Sequence, residues 1–337
     1  MLKERFKKYM ICLLVYLVIA VVFRFAGGDE LNYYTVYSEP AGPSRFGTYY
    51  WQWVALAWGI FTVYVLYSFK REREGKMTVG LYLKAIYRRY GFLIEQLVSR
   101  DFKTKYKKSV LGYMWSFLNP LLTSLVQYLV FSNLLGNEIE HFPAYLLTGS
   151  MLFSFFTESV GQGLTAIVGN SALITKVYVP KWIYPVTKVF STSINLVISM
   201  VPLLLIALAT GCKPTIAWIL LPFVLICLLV FCTGVSLALS ASDVFFRDTQ
   251  YLWGIVTMAW MYLTPLFYPE TIIPEQFMTL YRMNPLYQYI KFARILILDG
   301  VSPAPMQYFY CIITALVALI IGGAIFKKTQ NQFALYV

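Results

Sequence analysis

Residues 215–240 read TIAWILLPFVLICLLVFCTGVSLALS, twenty-six positions with no Asp, Glu, Lys or Arg. Crossing the hydrocarbon core of a bilayer takes roughly 20 apolar residues as helix. Lipid offers no partner for a free peptide N–H or C=O, so such a run satisfies its backbone by coiling into a helix. Seven further apolar runs flank it, at 9–26, 49–68, 111–136, 143–168, 185–210, 251–268 and 306–326. Composition agrees. Of 337 residues 59% are hydrophobic, 18% aromatic and only 13% charged, about half the charged share of a soluble domain. The bilayer is therefore the expected solvent, and eight transmembrane helices are expected.

Lys and Arg gather on one side of this pattern. The N-terminus, the segment 70–108, the loops at 170–184 and 242–250, and the tail hold twenty-one; the alternate loops hold five, counting Arg282, Lys291 and Arg294. Basic residues stay cytoplasmic, so both termini are expected in the cytoplasm. Lys3, Arg5, Lys7 and Lys8 precede the first run as in a signal peptide. No small-x-small cleavage site follows, because Arg24 lies just before Ala26, so an uncleaved anchor is expected. The net charge of +12 reads as this flanking bias, and no nucleic-acid partner is expected.

Two segments are apolar without being spans. Val79, Leu83, Ile86, Tyr90, Leu93 and Leu97 form one helical stripe, with Lys84, Arg88, Arg89 and Gln96 off it. This suits an amphipathic helix in the cytoplasmic interface, touching membrane lipids. Residues 270–305 belong to the outer side, yet 277–281 and 286–298 are apolar, and Asn284-Pro285 divides them. Proline ends one helix and opens another, so a re-entrant outer hairpin is expected, buried against protein.

Chemistry of other kinds is poorly supplied. Cys12, Cys227, Cys232 and Cys311 lie in apolar runs, Cys212 does not, and no C-x-x-C pair occurs. Packing thiols are expected, and neither disulfides nor a metal. His141 is the only histidine, so no zinc site and no catalytic relay is expected. Gly75-Lys76 lacks the upstream glycine of a phosphate loop and is followed by Met77. No cofactor is expected on this chain, and any ATP and Mg would be bound by a separate subunit.

Four stretches carry a resemblance. The first is Arg100-Asp101-Phe102-Lys103-Thr104-Lys105-Tyr106 with Leu111-Gly112-Tyr113-Met114-Trp115 and Asn119-Pro120-Leu121. The second runs from Asn170 through Leu173 and Lys176 to Pro180. The third is Phe245-Phe246-Arg247-Asp248 with Thr264-Pro265-Leu266-Phe267-Tyr268-Pro269, and the fourth is Asn284-Pro285-Leu286. In this order and spacing, over residues 79–337, the chain resembles the type-2 ABC permeases that export O-antigen, capsule or teichoic acid. The resemblance implies an all-α integral membrane fold with a six-helix core in residues 77–337, preceded by a two-helix extension in 1–76 that departs from the family pattern. It also implies a homodimer, a nucleotide-binding ATPase partner and a lipid-linked glycan as cargo.

On that resemblance Asn170, Leu173, Lys176 and Pro180 mark a short helix docking on the ATPase, with Asn170 as its cap and Pro180 as its end. Arg100, Asp101, Lys103, Tyr106, Arg247 and Asp248 fall at cytoplasmic membrane edges. Adjacent helical residues do not face each other, so Arg100-Asp101 and Arg247-Asp248 are expected to pair with one another or with the ATPase, or to serve as interfacial anchors. Glu158, the one acidic residue deep in an expected span, either bonds a neighbouring helix or faces the pathway. Tyr113, Trp115 and Tyr262 are candidates to line a sugar pathway, where aromatic faces meet C–H faces; each also suits an interfacial belt. The expected function is a multi-pass permease of the bacterial plasma membrane that exports a lipid-linked polysaccharide and is not itself an enzyme. The alternatives are a type-2 exporter of a drug or lipid, or a membrane-embedded glycosyl- or acyltransferase, which generally needs an acidic or histidine cluster that this sequence lacks.

Overall fold

The computed structural model describes residues 11–18, 20–21, 54–55, 58–59, 61–68, 70–71, 79–107, 109–135, 139–174 and 179–336. All regular structure among them is helical. The chain forms two compact units, Met1–Leu93 and Ile94–Val337.

In the first unit the described parts of runs 9–26 and 49–68 are helical, and Ala20 packs with Val54 and Tyr16. The rest of those two runs lies outside the described residues. Labels begin with α1, Val79–Tyr106, which continues from the first unit into the second. Ile86, Tyr90 and Leu93 are half-buried and Arg88 and Arg89 exposed.

The second unit contains α2 (Trp115–Leu135), α3 (Phe142–Leu164), the short α4 (Ser171–Ile174), α5 (Ile183–Ala209), α6 (Leu221–Phe245), α7 (Thr249–Tyr262), α8 (Glu275–Met283), α9 (Pro285–Arg294), α10 (Pro305–Thr329) and α11 (Phe333–Tyr336). Eight spans were expected. Four described helical stretches are long and apolar enough, Met114–Ser132, Ile183–Ala209, Ile216–Phe245 and Pro305–Thr329. A fifth results if α3 and the bent Val168–Ile174 segment count together. The expected span 251–268 is not one continuous helix. Its helix α7 has 14 residues, about 21 Å at 1.5 Å per residue. Pro265 stops it, because proline has no N–H to continue the ladder and disfavours helix at Thr264.

Tight packing replaces the hydrophobic effect between helices in lipid, and small residues permit it. The most extensive pair is α6 with α10. A Cβ on Gly234 would overlap the backbone of Ala318, and one on Gly322 would overlap the Gly234 carbonyl. The two backbones are therefore in direct contact.

Residues 275–299 form the expected broken hairpin. Asn284 is extended, and its side chain caps α9 by accepting from Leu286 N–H at 3.0 Å. It also accepts from Trp260 Nε1–H at 2.8 Å and donates to Thr264 Oγ1 at 2.9 Å. Phe292 lies against Phe223, and Tyr289 against Phe231. Those partners are about 12 Å apart along α6, so α9 packs along the first half of that helix. Arg294, the last residue of α9, is buried. Its guanidinium donates to the carbonyls of Pro265 at 2.7 Å, Leu266 at 2.9 Å and Tyr145 at 3.3 Å. It lies 3.4 Å from the Tyr145 ring centroid. Arg294 is thus an internal rivet, not a loop cation, and Lys291 is paired with Glu270 at 2.7 Å. His141 binds the Thr210 carbonyl through Nδ1 at 2.7 Å, a structural role. Among the described residues the five cysteines are free, four of them are buried, and no metal-binding cluster occurs.

Candidate functional site: a polar cleft and a bent lever

The end of α1 and helices α2, α3 and α5 enclose two adjoining cavities of about 320 and 220 Å³. Both are lined by Lys105, Thr192 and Asn195. The larger adds Trp115, Asn119, Glu158 and hydroxyls such as Ser116, Ser154 and Ser199, and the smaller adds Asp101, Gln162 and Lys188. Such density of hydroxyl, amide and charged groups among helices apolar enough to cross a membrane marks a hydrated or ligand-bearing space.

Ion pairs and hydrogen bonds order the walls. Lys105 Nζ is 2.5 Å from Glu158 Oε1, which also accepts from Gln162 Nε2 at 3.0 Å. Asp101 is held by Arg100 and by Lys188, each at 2.9 Å. Tyr106 is buried, with its hydroxyl 2.6 Å from Ser116 Oγ and 3.0 Å from Asn195 Oδ1. Ser199 closes the network on the carbonyls of Ser116 and Asn195.

Two expectations change here. Arg100 and Asp101 pair within their own dipeptide, through Nε at 3.1 Å and Nη2 at 2.9 Å. The long guanidinium arm folds back along the helix to a carboxylate already fixed by Lys188. Tyr106, expected at the interface, turns inward as the hub of the polar network. Lys103, Arg247 and Asp248 are exposed.

Of the candidate pathway residues, Trp115 and Glu158 line the larger cavity. Tyr113 stacks on Phe102 with centroids 5.2 Å apart and meets Tyr106 edge-on, so it buttresses the cleft. Tyr262 is 66% exposed and lines neither cavity. Lys188 and Asn195 were missed. The signal was present, since Lys188, Thr192, Asn195 and Ser199 recur at intervals of four, three and four inside an apolar run, one polar stripe on a helix.

After α3 the chain bends by 53° into Val168–Ile174. Asn170 stands at the start of α4. Its Nδ2 donates to the Ala166 carbonyl at 2.7 Å, and its Oδ1 accepts from Arg100 Nη2 at 3.4 Å. Leu173 is exposed and Pro180 half-buried; Lys176 lies outside the described residues.

Long apolar helices around a polar cleft, with a bent segment after α3, define a multi-pass membrane protein of the transporter kind. Residues 93–298 match the ABC-2 type transporter family, and the chain belongs to it. It is 30% identical over 251 residues to an O-antigen export system permease protein RfbA of Klebsiella pneumoniae, covering 72% of this chain and 95% of the relative. The RfbA protein of Myxococcus xanthus is 30% identical over 254 residues, 75% of this chain and 97% of the relative. The polysialic acid transport protein KpsM of Escherichia coli is 22% identical over 71% of this chain and 93% of its own length.

Proposed function

We propose that this chain is the membrane-spanning permease subunit of an ATP-driven exporter that moves a lipid-linked polysaccharide outward across the bacterial plasma membrane. The observation that carries the reading is the similarity to O-antigen export permeases, which spans 95–97% of their length and 72–75% of this chain. The hydroxyl- and amide-rich cleft supports it, because sugars are recognised by such groups together with an aromatic face like that of Trp115. ATP hydrolysis belongs to a separate nucleotide-binding subunit, which docks on Val168–Pro180. The working unit is a homodimer with a six-span core in each subunit and both termini cytoplasmic. This chain holds no cofactor of its own and acts as a transporter, not an enzyme.

The test is replacement of the chromosomal gene by an inducible copy. Depletion is expected to strip surface polysaccharide while lipid-linked glycan accumulates inside the cell. Loss of surface and internal glycan together would point instead to a role in synthesis, and unchanged surface glycan to another cargo.

A further inference from the structure

The polar lining of the cleft is ordered along its helices. On α3, Ser150, Ser154, Glu158 and Gln162 recur every fourth residue, and on α2, Asn119, Thr123 and Gln127 do the same. That spacing keeps each set on one helix face, and on α5 the stripe from Lys188 to Ser199 completes the trough. Ser150 and Gln162 are about 18 Å apart along α3, more than half of a hydrocarbon core roughly 30 Å thick. One end of the trough carries the Lys105–Glu158 and Lys188–Asp101 pairs. The other closes where Ser150 Oγ donates to Gln127 Oε1 at 2.6 Å, and beyond that bond Phe131, Phe142 and Leu146 belong to an apolar cluster.

The long side of the trough is open. Asn119, Thr123 and Ser154 are exposed, and so are Leu122 and Val126 beside them on α2. An amide or hydroxyl in hydrocarbon costs free energy unless it is hydrogen-bonded, and polar side chains at membrane depth face a partner or water. A polar trough bordered by apolar surface is shaped for a molecule with a hydroxyl-bearing head and a hydrocarbon tail. Sugar hydroxyls both donate and accept, and so do the amide of Asn119 and the hydroxyls of Thr123 and Ser154.

We propose that the cleft is a lateral track, complete within one subunit, along which the hydroxyl-rich head of the lipid-linked glycan enters the membrane while the lipid tail stays in the bilayer. This rests on the reading of the cargo as a lipid-linked polysaccharide. The test uses the complete transporter with its ATPase, in a Cys12→Ser background. Thr123→Cys and Ser154→Cys are expected to react with a small water-soluble methanethiosulfonate at least tenfold faster than Val126→Cys on the apolar border, because the reactive thiolate forms only in contact with water. Equal rates at the three positions would show a dry cleft and overturn the proposal. An oxidant that links two copies through Thr123→Cys overturns it too, since the mouth of the cleft would then lie between subunits. Asn119→Leu combined with Ser154→Leu is expected to keep membrane level and bound ATPase within twofold and to lower surface glycan at least tenfold; Asn119→Gln combined with Ser154→Thr is expected to retain export. Normal export by the leucine pair overturns the track. Where the leucine pair fails to accumulate, the reagent decides: export by Ser154→Cys is expected to stop once the thiol is modified, and export that continues overturns the proposal. Depletion of the chain separates the two readings. Surface glycan unchanged on depletion removes the cargo reading and the track with it; surface glycan lost on depletion but exported normally by the leucine pair removes the track alone.

Discussion

Lys105 Nζ and Glu158 Oε1 stand 2.5 Å apart, an ion pair that ties the end of α1 to α3 where the two cavities of the cleft adjoin. Their side chains are 39% and 35% exposed. Water screens such a pair, so its contribution to stability is about 1 kcal/mol or less. Glu158→Gln is expected to leave the amount of folded protein and the thermal midpoint nearly unchanged. It frees the Lys105 ammonium at the cleft wall, and export is expected to fall severalfold. Surface glycan and membrane protein are measured in the same cells. Loss of the protein itself would return Glu158 to a purely structural role.

The rivet of the hairpin behaves oppositely. Arg294 satisfies carbonyls from two segments and stacks on Tyr145. Arg294→Met leaves those carbonyls buried without their donor, and a buried polar group left unsatisfied costs about 1–3 kcal/mol. A large drop in thermal midpoint of the detergent-purified protein is expected. Gly149→Ala is expected to act in the same direction, because a Cβ there would press on Arg294 Nη2. Normal midpoints in both variants would show that the hairpin is held by its apolar contacts alone.

Much of this was legible in the sequence, because lipid imposes simple rules. An uncharged run such as 215–240 has one solution, and Asn284-Pro285 can only interrupt a helix. What escaped was relational. Arg100-Asp101 looked unable to pair because neighbours on a helix diverge, and only the position of Lys188, eighty-seven residues on, shows why the carboxylate stays within reach. Tyr106 looked interfacial because it ends a basic segment; its burial depends on Ser116 and Asn195, contributed by two other helices. The 251–268 run was apolar throughout, yet Pro265 shortened its helix. Hydropathy reports the solvent of a segment and says nothing about where its backbone turns.

The charge distribution predicts sidedness, and labelling tests it. Thr104 and Thr271 are both exposed, and the distribution places them on opposite sides of the membrane. Cys12 is the one exposed native thiol, so Cys12→Ser provides the background. An impermeant maleimide on intact cells is expected to label Thr271→Cys and to reach Thr104→Cys only after permeabilisation. The reverse pattern would place the bent segment outside, away from any cytoplasmic ATPase.

The aromatic candidates now separate by position, and export measurements can follow that separation. Trp115 lines the larger cavity at 40% exposure, together with Asn119 and Glu158. Its indole face is available to a sugar, and one aromatic contact is worth on the order of 1 kcal/mol, about fivefold in rate if made chiefly in the transition state. Tyr113 is engaged with Phe102 and Tyr106, so Tyr113→Ala removes support and is expected to lower folded protein together with export. Tyr262 touches neither cavity; its backbone carbonyl accepts from Tyr268 Oη at 2.9 Å, a bond that survives truncation of its own side chain. Tyr262→Ala is therefore expected to export within about twofold of the parent. Trp115→Ala is expected to accumulate normally, bind its ATPase and export about fivefold more slowly, with Trp115→Phe in between. Should Tyr262→Ala halt export at normal protein level while Trp115→Ala does not, the glycan passes along the exposed face of α7 and not through the cleft.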